Sequence, residues 1–291
     1  YAFSSNEAGT ISYGGSCSSG TTSASSGTNS ISFNTLGEGS YDNCTITVTD
    51  TVGNASSALS VNTFVVDTTA PTLSQVTAVT TPTKDPTPSY AFSSNEAGTI
   101  SYGGSCSSGT TSASSGTNSI SFGSLNDASY SNCTITVSDS AGNASSALSV
   151  NTFVVDTTAP TLSQATAVTN PTNDTTPSYV FSSNEAGTIS YGGSCSSSTT
   201  SASSGSNSIT FNTLSENTYS NCTITVTDTA SNASSALSVN TFVVDTTAAT
   251  VAEVTVVTTL SNDNTPSYTF SSNEAGSISY GGSCSSSTTS A

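Results

Sequence analysis

The chain repeats one unit of 89 residues, and this repetition restricts the possible folds more than any other feature. The motif Ser-Ser-Asn-Glu-Ala-Gly begins at residues 4, 93, 182 and 271, which gives a constant spacing of 89 residues. A unit of this length has the size of one small domain and is too long for the coil of a solenoid. The chain starts and stops inside a repeat, so we expect it to be a piece of a longer array.

Within each repeat, apolar and polar residues alternate with a period of two, which predicts β-strands separated by Gly-, Asn-, Asp- and Ser-rich turns. In residues 68–156 the pattern predicts seven strands: A at 72–80, B at 88–94, C at 99–104, D near 109–115, E at 118–124, F at 130–139 and G at 147–155. Seven short strands per repeat predict an all-β fold of tandem Greek-key, immunoglobulin-like β-sandwiches.

Three stretches carry a resemblance to a known family. They are "VVDTTAPTL" at 65–73, "VSDSAGN" at 137–143 and "LGEGSY" at 36–41. They resemble the bacterial immunoglobulin-like (Big-type) repeats of large surface adhesins and secreted fibrous proteins, and the resemblance covers the whole chain. It implies that the tyrosine of the third motif hydrogen-bonds the backbone at the corner between strands E and F. Tyr41, Tyr130 and Tyr219 match that position.

The linker Asp-Thr-Thr-Ala-Pro marks the boundaries between repeats, because proline fixes φ and stiffens a short connection. It occurs at 67–71 and 156–160, and at 245–249 Ala249 replaces the proline. The predicted domains are 1–67, which lacks strand A, the complete repeats 68–156 and 157–245, and a partial repeat at 246–291 with strands A to C.

The ionisable residues exclude most catalytic chemistry. The chain has 18 acidic residues, one basic residue (Lys84) and no histidine, for a formal net charge of −17. Without histidine or arginine there is no imidazole base and no bidentate clamp for phosphate. The negative charge repels nucleic acids and anionic membrane surfaces. We therefore predict that the chain is not an enzyme, does not bind nucleic acid and has no segment inserted in a membrane.

Six of the seven cysteines fall into three pairs once the repeat is applied. The two cysteines of each pair are 27 residues apart, and the chain has neither histidine nor a Cys-x-x-Cys motif. This pattern predicts disulfides in an oxidising compartment rather than a metal site. Free structural thiols are the alternative. The predicted pairs are Cys17 with Cys44, Cys106 with Cys133 and Cys195 with Cys222, and Cys284 is the first member of a fourth pair. Each bond should tie the end of strand C to the start of strand F.

Acidic residues from separate segments should meet where two repeats join. In a sandwich the B–C and F–G turns lie at the end where the preceding linker arrives, and hard oxygen ligands of this kind suit Ca²⁺. Large adhesins of the resembling family commonly carry Ca²⁺ at such joints. The alternative is that these residues are ordinary solvated turn formers. The candidate ligands are Asp67, Glu96, Asp139 and Asn143 at one joint, and Asp156, Glu185, Asp228 and Asn232 at the next.

These observations together predict a structural, non-catalytic spacer or stalk of a large adhesin, located outside the cell or on its surface. Its partners would be neighbouring repeats of the same chain. Two alternatives remain open at this point: a building block of a self-assembling extracellular filament, in which other copies are partners, and a glycan-binding module. A second acidic set, which includes Glu38 and Asp127 before strand F, is interpreted mainly as a contribution to solubility.

Overall fold

The computed structural model describes residues 1–291 and contains strands and turns but no helix. The prediction of an all-β fold is therefore confirmed. The chain divides into two compact units, Tyr1–Thr158 and Ala159–Ala291. The structure contains no helix with the length and apolar character that a membrane span requires.

The first compact unit contains two sets of strands. Residues 1–67 form β1 (Ala2–Ser5), β2 (Gly9–Gly14), β3 (Ser23–Ala24), β4 (Gly27–Ser30), β5 (Gly39–Tyr41), β6 (Thr45–Thr49), β7 (Leu59–Ser60) and β8 (Phe64–Val66). Residues 68–156 form β9 (Leu73–Thr77), β10 (Ser89–Ser94), β11 (Gly98–Gly103), β12 (Ser112–Ala113), β13 (Gly116–Ser121), β14 (Ala128–Tyr130), β15 (Thr134–Ser138), β16 (Leu148–Ser149) and β17 (Phe153–Val155).

The strands of residues 68–156 form three antiparallel sheets. Their orders are β13-β10-β9, β12-β11-β15-β16 and β14-β17. In the second sheet Ile100 lies opposite Val137 and Tyr102 opposite Ile135. Ile135 and Val137 are buried, whereas the threonine between them is only half-buried, which is the alternation expected of a strand with one face on the core.

An aromatic stack runs through the core of this repeat. Phe122 stacks on Tyr90 with ring centroids 6.3 Å apart, and Phe153 stacks on Phe122 at 6.0 Å and on Tyr130 at 5.3 Å. The hydroxyl of Tyr130 donates a hydrogen bond to the backbone oxygen of Asn126 at 3.0 Å, as predicted for this tyrosine. The stack joins strands from different sheets and so holds them on one core.

The last two strands predicted in this repeat are each interrupted. Strand F is divided into β14 and β15, and strand G into β16 and β17. Between β16 and β17 the side chain of Asn151 accepts a hydrogen bond from the amide of Val79 at 2.9 Å and donates one to its carbonyl at 3.0 Å. An asparagine side chain thus takes the place of ladder hydrogen bonds, and the alternation of apolar residues changes phase there.

Residues 1–67 have the same arrangement without the first strand. Their sheets are β1-β4, β3-β2-β6-β7 and β5-β8, so β1 has one neighbour, whereas the equivalent β10 has two. A separate hydrophobic core is formed around Phe3, Ile11 and Ile46.

The second compact unit repeats the pattern. Its strands are β18 (Leu162–Thr166), β19 (Ser178–Ser183), β20 (Gly187–Gly192), β21 (Ser201–Ala202), β22 (Gly205–Thr210), β23 (Asn217–Tyr219), β24 (Thr223–Thr227), β25 (Leu237–Ser238), β26 (Phe242–Val244), β27 (Val251–Thr255) and β28 (Thr269–Ser272). β18 to β26 pair in the same orders as β9 to β17, and β27 pairs only with β28. The side chains of residues 246–291 are mostly exposed.

Candidate functional site

Three carboxylates converge in the first compact unit, at the joint between residues 1–67 and residues 68–156. Oxygens of Asp67, Glu96 and Asp139 all lie within 4.8 Å of one another, and each of these residues is half-buried. Asp67 follows β8, Glu96 lies in the turn between β10 and β11, and Asp139 directly follows β15. Three segments that are distant in sequence therefore meet at one place, as predicted from the order of the strands.

A tight turn positions Asp139. Its Oδ1 accepts a hydrogen bond from the backbone amide of Asn143 at 2.9 Å, and its Oδ2 accepts one from Nδ2 of the same residue at 2.9 Å. Gly142 adopts a φ of 95°, a left-handed conformation that favours glycine. The hydrogen bonds from Asn143, first of all the one from its side chain, hold the pKa of Asp139 below its ordinary value.

Two neighbouring asparagines complete the surroundings of the cluster. Nδ2 of Asn95 donates a hydrogen bond to Oε1 of Glu96 at 3.1 Å, and Nδ2 of Asn143 donates one to the backbone oxygen of Asp67 at 3.1 Å. Three of the four ligands predicted at this joint therefore have carboxylates that lie close together. The fourth, Asn143, links the turn after β15 to the linker.

The arrangement concentrates negative charge. Like charges within about 5 Å repel one another by several times the thermal energy unless water or counterions screen them. The spacing is also compatible with oxygen ligands around one divalent cation, because Ca²⁺ binds oxygens at about 2.3–2.6 Å and ligands on opposite sides of it lie about 5 Å apart.

The four ligands predicted for the next joint lie in different compact units. Asp156 belongs to the first unit, and Glu185, Asp228 and Asn232 belong to the second. Within the second unit, Asn232 donates hydrogen bonds to both oxygens of Asp228 at 2.9 Å, as Asn143 does to Asp139. Oε1 of Glu185 accepts a hydrogen bond from Asn184 at 3.1 Å. A metal site formed by these four residues stays a prediction.

The cysteines form one disulfide in each of the first three repeats. The bonds join Cys17 to Cys44, Cys106 to Cys133 and Cys195 to Cys222, each with a Cα–Cα distance of 5.3 Å. Cys106 lies shortly after β11 and Cys133 directly before β15, so the bond ties two paired strands near one end of their sheet. Three disulfides indicate an oxidising environment. Cys284 is exposed and has no cysteine partner within residues 1–291, so the fourth pair stays a prediction.

Sequence analysis missed the role of the carboxylates that precede β5 and β14. Oδ1 of Asp127 accepts hydrogen bonds from the amide and the hydroxyl of Thr157 at 2.9 and 2.7 Å, and Oδ2 accepts one from the hydroxyl of Thr158 at 2.6 Å. These bonds, the one from Thr158 first, hold the pKa of Asp127 below its ordinary value. The two consecutive threonines of each linker are the signal in the sequence, since their hydroxyls can donate hydrogen bonds to a nearby carboxylate.

No protein-family model matches the chain, and no curated protein is significantly similar to it.

Proposed function

We propose that the chain is a structural, non-catalytic spacer or stalk, built of tandem immunoglobulin-like domains and forming part of a large adhesin outside the cell. The observation that carries this proposal is the repetition of one folded unit. Residues 68–156 and 157–245 share the same strand orders, a disulfide with the same separation of 27 residues and the same aromatic stack. A chain that has to span distance can be lengthened by copying such a module.

The pairing of the strands supports the immunoglobulin-like Greek key. Strand B lies between A and E in one sheet, and strands C, F and G belong to the other large sheet. The strand predicted as D pairs with C in that second sheet, which is the place of C′ in variable-type domains, whereas D lies beside E in constant-type domains. A parallel bridge between Thr83 and Val155 joins the A–B connection to strand G. The hydrogen bond from Tyr130 to the backbone four residues earlier supports the resemblance to bacterial immunoglobulin-like repeats.

The disulfides support a location outside the cell or on its surface. Disulfides persist in oxidising compartments, and a domain of this size has only a small core, so a covalent tie contributes a large share of its stability. In the chain-entropy model a loop of this length contributes roughly 3.5 kcal/mol. Such ties suit modules that carry load in a long array.

Pulling the 291-residue chain by its two ends tests the proposal. We expect the two complete repeats to unfold in separate steps of equal length. A reductant should lengthen both steps, because each disulfide keeps the residues between its two cysteines, 27 apart in sequence, from extending. The variant with both Cys106→Ser and Cys133→Ser should lengthen only one of the steps in the absence of reductant. Gradual extension at low force without discrete steps would rule out a mechanical role.

Ca²⁺ at the joint within the first compact unit is part of the proposal. Asp67, Glu96 and Asp139 would hold the ion, which would neutralise part of their mutual repulsion. Binding to the folded chain should raise its melting temperature as the concentration of Ca²⁺ increases. Glu96→Gln should reduce this response, and Glu7→Gln is the matched control at the equivalent position of residues 1–67. Identical melting curves in Ca²⁺ and in chelator would contradict the metal site.

A further inference from the structure

The linker between residues 1–67 and 68–156 is held from the side of the preceding repeat by Glu38. Its Oε1 accepts hydrogen bonds from the amide of Thr68 at 3.2 Å and from the hydroxyl of Thr68 at 2.7 Å. The hydroxyl of Thr69 donates a further bond to the same oxygen. Glu38 directly precedes β5, so its position is set by the fold of the preceding repeat. Asp127 holds Thr157 and Thr158 in the same way one repeat later.

The same linker is held from the side of the following repeat by two asparagines. Nδ2 of Asn143 donates a hydrogen bond to the backbone oxygen of Asp67 at 3.1 Å. Asn95 accepts a hydrogen bond from the amide of Thr72 at its Oδ1 (2.6 Å), and its own amide donates to the oxygen of Thr72 at 3.2 Å. Pro71, which directly precedes Thr72, is buried, and its ring fixes its φ.

These contacts leave little freedom along the linker. Of the six residues 67–72, those at positions 67, 68, 69 and 72 are hydrogen-bonded to a folded repeat, and a fifth, Pro71, is buried. The contacts at 67 and 72 belong to the following repeat, whereas those at 68 and 69 belong to the preceding one. Linker residues that are bonded to the preceding repeat therefore lie between residues that are bonded to the following one. A rotation of one repeat relative to the other would break some of these hydrogen bonds.

We propose that residues 67–72 form a doubly anchored strap, which joins residues 1–66 and 73–156 into one rigid body without requiring a bound ion. The inference rests on the proposed function as a spacer, and it states which contacts make the spacer stiff. The third linker provides a contrast within the chain. There Ala249 replaces the proline, and Glu216 accepts a hydrogen bond from the hydroxyl of Thr247 at 2.9 Å.

Residual dipolar couplings of the full chain in chelator test the strap. Amides of β2 and β11 should fit one common alignment tensor, because the two repeats tumble together. The double variant Glu38→Ala and Asn143→Ala should require two tensors, and the amide of Thr68 should exchange with solvent roughly tenfold faster. Amide shifts of β6 and β15 report whether both repeats stay folded in the variant.

The double variant Glu7→Ala and Asn54→Ala is the matched control. Asn54 donates to Asp50 at 2.8 Å within the equivalent turn of residues 1–67, so the control removes one acidic side chain and the same turn contact without touching the linker. It should keep one tensor. Two tensors for the unmodified chain in chelator would overturn the proposal, as would one tensor for the strap variant. A failed pulling experiment would leave this result unaffected, because the two tests measure mechanical unfolding and orientation separately.

Discussion

Apart from the first strand, residues 1–67 and residues 68–156 carry equivalent strands, an equivalent disulfide and an equivalent aromatic stack, yet their cores are covered to different degrees. Tyr90 is 1 % exposed, whereas Tyr1 at the equivalent position is 38 % exposed. Phe153 is fully buried, whereas the equivalent Phe64 is only half-buried. The same side chains therefore contribute differently to the two cores.

The difference comes from the segment that precedes strand B. In residues 68–156 this segment supplies β9, which pairs with β10, and the buried side chain of Val79. It also supplies the backbone oxygens of Pro86 and Pro88, which accept hydrogen bonds from Leu125 and Phe122 at 2.8 and 3.1 Å. The first strand of the repeat therefore closes the core, even though the residues of the aromatic stack come later in the chain.

The largest effect expected from this difference concerns the central phenylalanine. Phe153→Ala should destabilise its repeat by about 3–5 kcal/mol, because it removes a fully buried ring from a packed stack. Phe64→Ala should cost about half as much, since part of that ring is already in contact with water. Denaturant-dependent hydrogen exchange measured on peptides from each repeat gives both values. Equal losses would mean that the first strand does not determine the burial energy of the stack.

A smaller effect is expected from the tyrosine at the corner before strand F. Tyr130→Phe removes the hydrogen bond to Asn126 and should cost about 1 kcal/mol, because the carbonyl loses a partner at a half-buried position. Tyr41→Phe removes an exposed hydrogen bond to Gly37, which water can replace, and should cost less. The same exchange measurement applies. A larger loss of stability for Tyr41→Phe than for Tyr130→Phe would contradict the expectation that the more buried of the two hydrogen bonds contributes more.

The smallest difference should be found in the pH dependence of the two Asp–Asn turns. Side-chain hydrogen bonds from Asn54 and Asn143 lower the pKa of Asp50 and Asp139. A carboxylate with a lowered pKa in the folded state contributes stability above its unfolded pKa, and this contribution is lost as the pH falls through the folded pKa. Asp139 also has the carboxylates of Asp67 and Glu96 within 4.8 Å, whereas Asp50 belongs to no such cluster of three, and nearby like charges favour the protonated form. Asp139 should therefore titrate at a higher pH than Asp50. Carboxyl carbon shifts followed by NMR between neutral and acidic pH give both midpoints, and a midpoint of Asp139 at or below that of Asp50 would contradict the prediction.

Local sequence patterns determined a large part of this protein. The period-two alternation around Ile135 and Val137 predicted a strand with one buried face, since neighbouring side chains of a strand point to opposite sides. The constant spacing of the cysteines predicted which of them pair, because the repeat places each pair in one small domain. The position of Tyr130 predicted a hydrogen bond to nearby backbone, which needs only local chain geometry.

Contacts between distant segments decided the rest. In strand G the change of phase between Val150 and Phe153 already indicates a bulge, but the hydrogen bond from the amide of Val79 to Asn151, at a separation of 72 residues, is a tertiary contact. The strap depends on Glu38 meeting threonines 30 and 31 residues later, and in the sequence that glutamate looks like any other exposed acid. Whether a repeated tyrosine is buried depends on a strand that comes before it in the chain. A hydrogen bond or a buried surface needs both partners in place, and only the folded chain determines which partners meet.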